Sequence, residues 1–152
     1  MLWQRVESEG LAHYSYLVGR DGEALVVDPR VDVDVYEDLL ARSGHRLGYI
    51  FETHRHEDFL VGSVELAGRT GAEIWHADSQ LRYAYGEAAR DGQEWQVGSL
   101  RIRALSTPGH TPGHMSYVLS DQGGSPWAVF TGDALFAGGV GRTDLAGADR
   151  VD

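Results

Sequence analysis

His54, His56 and Asp58 stand at alternate positions in Glu52-Thr53-His54-Arg55-His56-Glu57-Asp58-Phe59. Two imidazoles and a carboxylate are metal-ligand types, and a loop leaving the end of a strand can turn them toward one point. With 7 histidines in 152 residues, such a pair also reads as two polar loop residues beside a solvated acid. Two further segments change that balance. Ser106-Thr107-Pro108-Gly109-His110-Thr111-Pro112-Gly113-His114 carries a Pro-Gly turn able to fix one imidazole, His110, at a strand end. His114 opens the next strand, which favours a structural role over ligation. Phe130-Thr131-Gly132-Asp133-Ala134-Leu135 brings an acid to the end of another apolar run, with Gly132 permitting a bend there. Taken singly, these are an exposed histidine in a proline-rich turn and an aspartate opening a turn. They become one site only if the three strand ends lie at one edge of a sheet.

The elements that must do the positioning follow from hydrophobic periodicity. Leu47-Gly48-Tyr49-Ile50-Phe51 reads as a buried strand delivering the first segment, and residues 100–105 as the strand delivering the second. Upstream, residues 11–18 and 24–29 form a strand pair about an Asp21-Gly22 hairpin turn, the second strand stopped by Pro29. Val35, Leu39 and Leu40 share a helical face over 34–42, which Gly44 caps. Residues 61–69 repeat that spacing with Gly71 as the stop, and 72–76 is a short strand. Residues 77–90 fit helix and loop equally, because alanines favour helix while Tyr83, Tyr85 and Gly86 interrupt the pattern. Strands follow at 94–97, 115–119 and 127–130, the last two joined by a Gly-Pro-rich turn. Strand pairs interleaved with helices predict α/β layers about a mostly antiparallel or mixed sheet.

Composition narrows the chemistry. The 42% apolar and 24% charged residues describe one globular domain over 1–152, with no repeat or linker. A formal charge of −10 without a basic patch argues against nucleic acid as a partner. The absence of cysteine removes disulfides, thiolate metal sites, iron–sulfur clusters and a cysteine nucleophile, so a metal must be held by His and carboxylate. No apolar run approaches a bilayer span, so no membrane association is expected and a cytoplasmic protein is the default expectation.

In that order along the chain, the three motifs resemble the metal motifs of the metallo-β-lactamase superfamily. The resemblance implies an αββα sandwich with its metal at the edge between two sheets. Gly141-Arg142-Thr143-Asp144 is similar to the persulfide dioxygenase (sulfur dioxygenase) branch, and residues 52–71 to bacterial members whose domain precedes rhodanese-like sulfurtransferase modules. The glyoxalase II branch is related but usually differs at the Gly-Arg segment. Two-metal hydrolases of the superfamily use Asp58 and a histidine at position 59, with a later histidine. Here position 59 is Phe and no histidine follows Asp133. The resemblance therefore leaves His54, His110 and Asp133 as ligands of one Fe(II). His56 and Asp58 become groups behind the ligands, or alternative ligands were Zn(II) substituted. Arg142 would either stabilise an anionic substrate or hold its own loop.

The function this implies is oxidation of glutathione persulfide, or a related low-molecular-weight persulfide, to sulfite with O2. Two alternatives stand beside it: a glyoxalase II-like thioester hydrolase (hydroxyacylglutathione hydrolase), and a non-catalytic metal-binding or docking domain serving a sulfurtransferase partner. Family members continue for several helices and a strand beyond residues 141–144, so the sandwich is expected to be shortened at its C-terminal end. The lost elements would expose apolar surface unless another chain covers it, which leaves room for a homo-oligomer.

Overall fold

The computed structural model describes residues 1–56, 60–77 and 82–144. Strand β1 (Leu2–Ser8) pairs antiparallel with β2 (His13–Arg20), which turns through Asp21-Gly22 into antiparallel β3 (Glu23–Val27). β1 gave no sequence signal because it is an edge strand. Only Leu2, Val6 and Ser8 of its seven residues are buried, so the alternation that marks a half-buried strand is incomplete.

Two helical crossovers then add parallel strands. Helix α1 (Asp34–Ser43) leads to β4 (Arg46–Phe51), and α2 (Ser63–Thr70) leads to β5 (Glu73–His76). Both helices stop where expected, at Gly44 and Gly71 in the left-handed conformation. Along α2 the apolar Val64 is exposed, while Leu66 and the polar Ser63 are buried. The undecided stretch after β5 contains, among the described residues, only the two-residue strand β6 (Glu87–Ala88), parallel to β5. Residues 78–81 lie outside the described residues. The first sheet is thus mixed, in the order β1-β2-β3-β4-β5-β6.

The second sheet is an antiparallel meander of β7 (Glu94–Val97), β8 (Leu100–Ser106), β9 (Met115–Ser120) and β10 (Pro126–Phe130). Strand alternation divides the apolar residues between two cores. Val18, Leu25, Val27 and Phe51 face Trp95, Ile102, Tyr117 and Phe130 between the sheets. Their neighbours Leu17, Val26 and Ile50 point the other way, packing with Tyr36, Leu40 and Leu66 of the helices. Each such side chain, fully buried, contributes about 1.5–3 kcal/mol. At one border the two edge strands meet through aromatic rings, Trp3 of β1 lying 5.2 Å from Trp127 and 5.8 Å from Phe130 of β10. The architecture is the metallo-β-lactamase-like sandwich, with the helices α1 and α2 on the outer face of the first sheet. Among the described residues, no helix of it is long and apolar enough to cross a membrane.

The fold also meets the requirement on strand ends. Val27 of β3 and Phe51 of β4 are partners in register, so Asp28 and Glu52 leave the sheet at the same end. The Met115 N–H donates to Thr53 O (2.7 Å) and the Tyr117 hydroxyl to Glu52 O (3.1 Å), which pins the start of β9 to the end of β4 across the sandwich.

Candidate metal centre

The structure brings His54, His110 and Asp133 together. One ligand atom from each lies within 4.8 Å of the others, and His110 Nε2 is 3.5 Å from Asp133 Oδ2. The three come from the end of β4, the β8–β9 loop and the short 3-10 turn Gly132–Ala134 that follows β10.

Hydrogen bonds settle which imidazole nitrogen each histidine offers. The Thr53 hydroxyl donates to Asp28 Oδ2 (2.7 Å), and the Thr53 N–H to Asp28 Oδ1 (2.8 Å). With its proton committed to Asp28, Thr53 Oγ1 accepts from His54 Nδ1 (2.9 Å), leaving a lone pair on Nε2. His110 Nδ1 lies 3.1 Å from Arg142 O, a carbonyl that only accepts, so its Nε2 is likewise the free lone pair. Burial, with His56 adding to it, pulls the His54 pKa down to about 3, which keeps the ring neutral and able to ligate. Two imidazole nitrogens and one carboxylate oxygen suit a divalent transition metal, and each histidine has the oriented outer partner that such ligands require.

His56 belongs to the layer behind. Its Nε2 lies 3.1 Å from Asp28 Oδ1, both side chains nearly inaccessible. Burial alone would lower its pKa, but the Asp28 carboxylate outweighs this and raises it. The converse holds for Asp28, where desolvation is outweighed by His56 and the Thr53 donors, and its carboxyl sits well below the usual range. Asp58 and Phe59 lie outside the described residues.

Asp28 is the centre of this network, and sequence reasoning missed it by reading 24–29 as a strand merely stopped by proline. The signal was an acid directly after four consecutive buried apolar residues, held at a φ of 48° that is rare without glycine. His13 was missed as well. It is buried, bonds Ser8 Oγ through Nδ1 (2.9 Å) and presents its ring to His56 at 5.9 Å.

His114 is fully buried and outside the three-residue group, as its structural reading implied. Burial lowers its pKa to about 4, and its ring stacks on His54 at 5.1 Å. The guanidinium of Arg142 is exposed and engages Asp144 at 2.8 and 3.2 Å, so its contact with the centre is through its main-chain oxygen. Gly141 explains how that oxygen gets there. A β-carbon at 141 would lie 1.8 Å from Asp133 O and 3.2 Å from His110 Nδ1, so only glycine lets the chain cross so close. The Asp133 side chain is 41% exposed, which leaves one side of the group open.

Comparison with known proteins agrees with this architecture. The family profile described as the metallo-beta-lactamase superfamily matches residues 9–151. The chain is 38% identical over 143 residues to a hydroxyacylglutathione hydrolase of Methylococcus capsulatus, covering 91% of this chain and 54% of the relative. It is 36% identical over 132 residues to the enzyme of that name from Acidiphilium cryptum, covering 86% and 52%. Among solved structures, ETHE1 from Myxococcus xanthus superposes with a TM-score of 0.85 at 34% identity, covering 95% of this chain and 63% of that one. A metallo-beta-lactamase from Staphylococcus aureus superposes with a TM-score of 0.88 at 32% identity, covering 95% and 47%. The chain spans about half the length of the curated relatives it matches.

Proposed function

Because the chain belongs to the metallo-β-lactamase superfamily, a family of metal-dependent enzymes, we propose that it is a mononuclear non-haem Fe(II) persulfide dioxygenase. The observation carrying this reading is the composition of the three-residue group: two histidines and one carboxylate, the facial set that leaves open positions on Fe(II). Phe59, which cannot coordinate, supports a single metal.

In this reading glutathione persulfide, or a related low-molecular-weight persulfide, reacts with one O2 and one water to give the thiol and sulfite. The outer sulfur gives up four electrons, which reduce O2, and the S–S bond breaks with the thiol sulfur keeping the pair. Bound Fe(II) would supply the redox chemistry and the positions for sulfur and O2. The protein supplies geometry. His54 and His110 present Nε2, fixed by Thr53 and by the Arg142 carbonyl, and Asp133 adds the carboxylate. The Asp28–Thr53 pair holds the His54 proton away from the metal face. The exposed side of Asp133 gives the substrate access. A rhodanese-like sulfurtransferase in the same cytoplasmic compartment would be a fitting source or acceptor of sulfane sulfur.

The test is metal analysis of anaerobically prepared protein followed by oxygen uptake on glutathione persulfide. One iron per chain, with uptake stoichiometric with sulfite, is expected. Phe59→His should raise the metal stoichiometry toward two. The likeness to hydroxyacylglutathione hydrolases favours a second reading, a thioester hydrolase using metal-activated hydroxide. Thioester cleavage without oxygen uptake would replace the first reading by the second. Metal binding with neither activity would leave a docking domain.

A further inference from the structure

We infer that His114 is a positioning residue of the metal centre, one buried ring that braces the supports of His54, His110 and Asp133 together. The inference rests on the metal-binding reading of those three residues, whichever reaction they perform.

Three contacts carry it. First, the His114 ring lies on the face of His54, with centroids 5.1 Å apart and planes 15° from parallel, so it limits rotation of that ligand. Second, His114 closes the loop bearing His110. The Thr107 N–H donates to His114 O (2.9 Å), and Thr107 Oγ1 lies 3.0 Å from His114 Nδ1, so main chain and side chain clamp the loop at the same pair of residues. Thr107 Oγ1 also bonds Ser116 Oγ (2.9 Å) at the start of β9, which ties the clamp to the sheet. Third, a β-carbon at Gly132 would come within 2.3 Å of Thr53 Oγ1 and 2.9 Å of His114 Nε2, so the ring, together with Thr53, closes the space beside the residue before Asp133.

The unpaired nitrogen argues that this ring is more than filler. Nε2 is buried and has no hydrogen-bond partner among the described residues. An imidazole with one nitrogen unpaired is a poor choice where only volume is needed, since Phe or Leu would bury no polar atom. What an apolar ring lacks is Nδ1. With the ring's proton on Nδ1, the bond to Thr107 is made and only a lone pair is left without a partner.

The experiment titrates Co(II) into metal-free wild type, Thr107→Val, Thr107→Ser and His114→Phe. It reads the dissociation constant, the Co(II) d–d absorption spectrum, and the thermal midpoint of the metal-free protein. Thr107→Val and His114→Phe are expected to bind Co(II) about 10- to 100-fold more weakly, with altered spectra, while Thr107→Ser, which keeps the hydroxyl, retains wild-type values. If Thr107→Val and His114→Phe keep the wild-type spectrum and lose affinity no more than Thr107→Ser does, the inference is wrong, even where their thermal midpoints fall. Should His114→Phe not fold, the Thr107→Val and Thr107→Ser pair decides alone. Wild type that binds no Co(II) overturns the metal-centre reading and this inference with it, whereas wild type that binds beside unaffected variants overturns only the inference.

Discussion

The two sides of the metal centre are built differently. On the first-sheet side, His54 is 3% exposed and held by side chains, through Thr53 and Asp28, with His56 on the same carboxylate. On the other side His110 and Asp133 are more open and positioned largely by main chain, through the Arg142 carbonyl and the close passage of Gly141, with the Thr107–His114 clamp as the one support that also uses side chains. Side-chain networks in a buried setting are costly to break, because each lost partner strands a desolvated group. Main-chain supports survive side-chain substitution and fail only when the path of the chain is blocked. Apart from the Thr107–His114 clamp, one half should therefore be sensitive to chemistry, the other to shape.

Removing a ligand has the largest effect. His110→Ala and Asp133→Ala should each abolish metal retention while leaving the fold intact, measured as metal per chain after gel filtration. Retention of a full equivalent by either variant would remove that residue from the ligand set. Next is Asp28→Ala, which removes the buried carboxylate from His56 and from two Thr53 donors. It should cost about 3–5 kcal/mol, measured as the urea midpoint of metal-free protein. A loss below ~1 kcal/mol would mean that the buried network is not what stabilises this side.

Gly141→Ala tests shape on the opposite side. The chain must move off Asp133, and metal affinity should fall about tenfold or more with little change in urea midpoint. Equal affinity would show that the close passage is irrelevant to the site. Thr53→Val keeps volume but deletes the hydroxyl between Asp28 and His54, for about 1–3 kcal/mol of stability. The smallest effect is expected of Arg142→Ala. The guanidinium is exposed and bound to Asp144, and the carbonyl that His110 uses is unchanged, so metal affinity should match wild type. A marked loss of persulfide turnover at unchanged metal content would instead assign Arg142 to the substrate.

The three residues that come together were legible because His54, His110 and Asp133 each follow within a few residues of the strand ends at Phe51, Ser106 and Phe130, where a metal-ligand type stands out. Their company was not. Asp28 and Thr53 are 25 residues apart and meet only because β3 and β4 are parallel neighbours, a pairing that local periodicity does not encode. The role of Arg142 was hidden for another reason, since it acts through an atom every residue has. His13 stands at the start of β2, and nothing in its spacing distinguishes a core histidine from one beside a site. The edge strand β1 went unread because a strand paired on one side needs little apolar surface.

The same geometry has a consequence for the life of the molecule outside catalysis. The candidate ligands follow strands of both sheets, so a bound ion would act as a staple between layers, added to their apolar contacts and to the hydrogen bonds of Met115 and Tyr117. At a free-ion concentration one hundred times the dissociation constant, it would add about 2.7 kcal/mol against unfolding. Amide hydrogens in the meander and in the mixed sheet should then slow their exchange together on loading, and a chelator should return both to the faster rate in a single step.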